Sequence, residues 1–186
     1  IGAVVFEKHA LAGTFQLVSP QSAQYKKVVG FSILVDFVEF CSDAASTHAK
    51  TLMQVMIRYS IDESARIRQF ATYGIGACAK NLRSAAFAPL ADEAIQSLKT
   101  SIQLPKARSE EYEPASCNAV SAFYKTINAI ILAESSAQDN NALTSTDSSA
   151  VPSCFSNNTV VLKLSELYKF WYACLPVKGD LVEAQI

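Results

Sequence analysis

The chain has 186 residues, half of them hydrophobic and 18% charged, so it carries the apolar material for a sizeable core and is not a disordered tail. Sixteen basic residues against seventeen acidic ones give a net charge of −1, which excludes an overall electrostatic footprint for nucleic acid or an anionic membrane and leaves only local charge recognition. The longest apolar stretch, Val28 to Val35, is preceded by Lys26 and Lys27 and stopped by Asp36, far short of a membrane span.

The opening residues, Ile1 to Phe6, lack an initiator Met and a charged leader with a cleavage site, and run directly into a helical pattern; the expectation is a piece of a longer protein. Five cysteines (Cys41, Cys78, Cys117, Cys154, Cys174) are odd in number, widely spaced and without a C-x-x-C pair. That usage points to buried free thiols in a reducing, intracellular compartment.

Along the chain the apolar period is that of helices. From Lys26 to Cys41, Ser32, Asp36 and Glu39 recur at helical spacing among apolar residues, predicting a largely buried amphipathic helix. A stop at Cys41-Ser42-Asp43 leads to a second helix, Thr47 to Tyr59, whose wet face is Thr47, Lys50, Thr51, Gln54 and Arg58. The next pair opens at Ser60 with Glu63 three residues on, a capping-box spacing in which Asp62 or Ser64 could equally be the cap, and its first helix runs to about Lys80. Its second helix, Phe87 to Gln103, has Pro89 in its first turn and sets Leu90, Ile95, Leu98 and Ile102 toward a core. A third pair begins near Glu113-Pro114, continues to about Ala133, and has Asn118, Ser121, Lys125 and Asn128 as its polar line. Residues 134–158 change character, with seven serines, four asparagines and no basic residue, and are expected to be a disordered insertion. A last helix from Val160 to about Cys174 turns Leu164, Leu167, Phe170 and Trp171 inward and Lys163 and Glu166 outward. No strand or hairpin signal competes.

Few residues suggest chemistry. Gly74-Ile75-Gly76-Ala77-Cys78-Ala79 matches a loose dinucleotide fingerprint, but it falls inside a helix rather than between a strand and a helix, so the glycines are read as sites of close helix approach. His9 and His48 have no Cys, Asp or Glu at metal-ligand spacing on the same helical face. The carboxylate pairs Asp62-Glu63 and Glu110-Glu111 precede helices, where negative charge suits the N-terminal dipole. Asn157-Asn158-Thr159 spells a glycosylation sequon, to which the free cysteines argue against assigning a role. No cofactor, metal or catalytic role is expected.

Corresponding helices start near residues 26 and 64 and their partners near 47 and 87, a period of about 40 residues that predicts an all-α solenoid of HEAT-type pairs spanning residues 1–186. The block from Phe31 to Ser42, with Ala65 to Lys80, resembles the importin beta-3 (Ran-binding protein 5) branch of the importin-beta (karyopherin-beta) superfamily. The resemblance continues through Phe87 to Leu90, Asn118 to Lys125 and Phe170 to Ala184, and the run Arg68-Gln69 with Tyr73-Gly74-Ile75-Gly76 is its most specific part. Residues 1–25 read as the tail of a preceding repeat; the insertion at 134–158 departs from the short link usual in the family.

The resemblance implies a nuclear transport receptor that moves between cytoplasm and nucleus. Such receptors bind protein cargo with basic import signals on the inner face, contact phenylalanine-glycine nucleoporins between helices and release cargo to Ran-GTP, with no direct nucleic-acid or membrane partner. If second helices line that inner face, Asp92, Glu93, Gln96, Lys99 and Gln103 form its stripe here, extended by Lys163 and Glu166. A HEAT scaffold organising a multi-protein complex is the competing expectation; a solenoid glycosylase would need a basic groove that the chain lacks.

Overall fold

The computed structural model describes residues 2–142 and 157–175, and within them the chain is all helical, with no strand. The helices are α1 (Gly2–His9), α2 (Leu11–Leu17), α3 (Gln24–Phe40), α4 (Ser42–Thr47), α5 (Ala49–Tyr59), α6 (Ala65–Asn81), α7 (Ser84–Phe87), α8 (Ala91–Ile102), α9 (Glu113–Ala142) and α10 (Asn157–Cys174), with a 3₁₀ turn at Ala88–Leu90.

Three of the four long helices, α3, α6 and α9, lie side by side, α6 between the other two, while α5 packs on α6 and on α8, and α8 packs on α9. Burial follows the apolar stripes. Leu52, Met53 and Met56 of α5 and Ile95 and Leu98 of α8 are fully enclosed with Phe31, Ile75 and Phe123 from α3, α6 and α9. Enclosing a side chain of this size stabilises the fold by about 1.5–3 kcal/mol. The wet face expected on α5 is wet: Lys50, Thr51, Gln54 and Arg58 are all exposed.

Several hydrogen bonds tie residues far apart in the chain. Gln24 Nε2 donates to Ser64 Oγ at 2.7 Å across 40 residues, and the Arg83 amide to Ser46 Oγ at 2.9 Å across 37. Thr72 Oγ1 reaches the Ala115 carbonyl at 3.3 Å across 43, and Ser60 and Ser97, 37 apart, share a hydroxyl bond.

The glycine pair of the fingerprint-like run sits inside α6 and serves packing. A methyl on Gly74 would collide with the Met56 side chain of α5, and one on Gly76 would stand 3.2 Å from Ala122 Cα of α9. The missing side chains let both neighbours close on α6, which is why a residue type unfavourable by about 1 kcal/mol in a helix stands here twice.

Several boundaries differ from those read off the periodicity. The segment after Cys41 folds as the short helix α4 before α5, because Ser46 Oγ and Thr47 Oγ1 bond back to the carbonyls of Ser42 and Ala44. Pro89 lies in the 3₁₀ turn, so the helix expected from Phe87 is divided there, and α8 proper starts at Ala91. No capping box forms at Ser60, whose hydroxyl bonds to the Ile57 carbonyl and Ser97; Ser64 is the N-cap, with its amide donating to Asp62 Oδ1 at 2.9 Å. On α3, Val29 and Phe40 are exposed, Phe40 by 80%.

Helix α9 continues to Ala142, nine positions past Ala133, and α10 opens at Asn157 rather than Val160. Of the expected insertion at 134–158, residues 143–156 lie outside the described residues.

Candidate functional site

Helix α8 buries Ala91, Ala94, Ile95, Leu98, Ser101 and Ile102, residues at i, i+3, i+4, i+7 spacing, against α9 and α5. The remaining faces necessarily hold Asp92, Glu93, Gln96, Lys99 and Gln103, of which all but the half-buried Lys99 are exposed. Asp92 and Glu93 occupy the first turn, where carboxylates complement the helix dipole, and Lys99 the last.

Helix α10 buries Leu167, Trp171 and Cys174 and half-buries Leu164 and Phe170, leaving Lys163 and Glu166 exposed. Two of its residues reach the α8 stripe. Lys163 Nζ pairs with Asp92 Oδ1 at 2.5 Å, and the Lys99 ammonium stands 5.3 Å from the centre of the Phe170 ring. Lys163 and Asp92 keep 54% and 72% of their side-chain surface in water, so the pair is screened and worth only about 0–1 kcal/mol. The tie cancels the charge of Asp92 locally. Uncompensated negative charge on the stripe therefore rests with Glu93 and Glu166, for which no salt bridge is found among the described residues.

Aromatic packing fixes the position of α10. Phe123 and Tyr124 of α9 meet Phe170 and Trp171 at centroid distances of 5.2 and 4.8 Å, the second pair stacked. Arg108, in the turn before α9, donates to the Cys174 carbonyl at 3.2 Å.

A concavity of about 900 Å³ opens between the N-terminal halves of α3, α6 and α9 and is lined by Gln24, Arg66, Gln69, Phe70, Tyr73 and Asn118, among others. Sequence reasoning did not find it, because its walls come from three segments whose proximity no local pattern encodes. The polar line expected on α9 is partly covered: Asn118 Nδ2 donates to the Gln69 carbonyl of α6 at 3.1 Å, Ser121 is buried, and Lys125 and Asn128 are half-buried.

The histidines and buried cysteines singled out above lie apart from the stripe and the groove. His48 Nε2 lies 2.9 Å from Glu7 Oε1, joining α1 to the α4–α5 junction, and His9 is exposed. Burial pushes the Cys78 thiol up to about 12, and it raises that of Cys174 against the opposing pull of Arg108. Among the described residues no group of three or more side chains could hold a metal ion, and no described helix is long and apolar enough to cross a membrane.

The described residues are thus all helical, with a polar stripe on α8 bridged by α10 and a groove across α3, α6 and α9. No protein-family model matches the chain.

Proposed function

We propose that the chain is a segment of a nuclear transport receptor of the importin-beta superfamily, in its importin beta-3 branch, and that its helices are HEAT pairs of an α-solenoid. The observation that carries the architectural half is the recurrence of side-chain bonds across 37 to 43 residues, from Ser60–Ser97 to Thr72–Ala115. Bonds at that interval suit successive pairs with a period of about 40 residues. The functional half rests on the resemblance of the Phe31–Ser42 and Ala65–Lys80 blocks. Buried Arg68 and the close-packed Gly74 and Gly76 show that this run has packing roles, which is a reason for a family to share it.

In this reading the segment is a binding module: repeated shallow surfaces wrap large partners, and solenoid flexibility adapts to them. Cargo with basic import signals meets the stripe of Asp92, Glu93, Gln96, Lys99 and Gln103, with Lys163 and Glu166 at its far side. Ran-GTP and phenylalanine-glycine nucleoporins are the other partners, and the working places are the cytoplasm, the nucleus and the pore between them. A pull-down of the full-length protein with Ran loaded with GTP or GDP tests the assignment. Capture with GTP in clear excess over GDP is expected; equal or absent capture overturns the receptor in favour of a scaffold.

A further inference from the structure

Helices α8 and α10 carry two contacts with the same offset. Asp92 meets Lys163 across 71 residues, and Lys99 meets Phe170 at the same interval, so the two helices run parallel and in register at this level. Long side chains bridge them, and α10 rests mainly on α9. Two members of the α8 stripe are engaged: Asp92, one of two carboxylates in the first turn, by an ammonium, and Lys99 of the last turn by a ring.

The engaging group has the chemistry of the ligand proposed above. Lys163 brings to Asp92 the same ammonium on the same flexible stem that a basic cargo segment would bring. It is the first basic residue after Lys125, and the next, Lys169, follows six positions on. The pair is exposed on both sides, which lets an incoming ammonium replace Lys163 without opening the core.

We propose that Lys163 is a built-in competitor: it occupies Asp92, and a basic segment engages this stripe by displacing it. The inference rests on the reading of the α8 stripe as a site for basic segments. Its effect is limited to what one exposed ion pair supplies, about two- to fivefold in affinity at low salt.

The test uses the full-length protein and a fluorescent oligolysine peptide, with binding followed by anisotropy at low and high salt. K163Q is expected to tighten binding about two- to fivefold at low salt, with the gain shrinking as salt is added. D92N should weaken binding, and K163Q added to D92N should bring no further gain. K169Q, which removes the same charge from an exposed position on the same helix, should leave affinity unchanged. If D92N weakens binding but K163Q does not tighten it, the competitor is overturned and the stripe stands. An equal gain from K169Q overturns it as well, by showing a general charge effect. If neither D92N nor K163Q changes binding, the stripe is not a site for basic segments and both readings fall.

Discussion

A methyl group on Gly76 would stand 3.2 Å from both Cα and Cβ of Ala122, so α6 and α9 touch backbone to backbone at this point. A larger residue has nowhere to go, because Ala122 is itself buried and its Cα cannot swing aside. Gly76→Val should therefore destabilise the protein by about 1–3 kcal/mol through overpacking, despite a better helix propensity. Urea unfolding measures it, and a neutral or stabilising result would mean that the two helices do not meet this closely.

Gly74 meets α5 differently, through the end of a flexible side chain. A methyl there would run into Met56 Sδ and lie 2.8 Å from its Cε, and Met56 is fully buried. Gly74→Ala and Met56→Ala should each destabilise, the second by about 2–5 kcal/mol for the cavity it leaves. The double variant should lose less than the sum, since the new methyl fills part of the space that Met56 vacates. Strict additivity would break the assigned contact.

Arg68 is 7% exposed, and its Nη1 donates to the carbonyls of Asp62 and Glu63 while its guanidinium lies 4.5 Å from the centre of the Tyr112 ring. It holds the turn before α6 and the turn before α9 together. Arg68→Ala should cost about 1.5–3 kcal/mol, because two part-buried hydrogen bonds from a charged donor are lost. Arg68→Lys should restore only part of this, since an ammonium has no planar fork to share between two carbonyls and a ring. Full rescue by lysine in thermal melts would show that charge alone matters.

Cys78 is fully buried, and burial pushes its thiol up to about 12, above its ordinary value. A raised value means that the native thiol stays neutral while the unfolded one ionises first, so the contribution is complete below the unfolded value and is lost as pH rises toward about 12. Stability should fall with rising alkaline pH, less steeply in Cys78→Ala. Alkylation followed by mass spectrometry should leave Cys78 unmodified at mildly alkaline pH in the native protein and label it in urea. Rapid native labelling would contradict the burial.

What the sequence determined by itself was the helical class and the division of α5 and α8 into wet and buried faces. The reason is local: residues at i, i+3 and i+4 share a face of any helix, whatever packs against it. Hence Ile95, Leu98 and Ile102 were legible as core, and Asp92, Gln96 and Gln103 as a polar stripe. The close-approach role of Gly74 and Gly76 was legible too, because the run lay where no strand precedes a helix, although the partners Met56 and Ala122 were not. Only the tertiary structure decided which polar line stays wet. Ser121 and Lys125 have the periodicity of a solvated face, yet with α6 packed on their helix Ser121 is buried and Lys125 half-buried. The same dependence on distant chain opened the groove beside Arg66 and Asn118 and brought Lys163 to Asp92 across 71 residues. Periodicity states which residues share a face; what that face meets is settled by packing free energy summed over helices far apart in the chain.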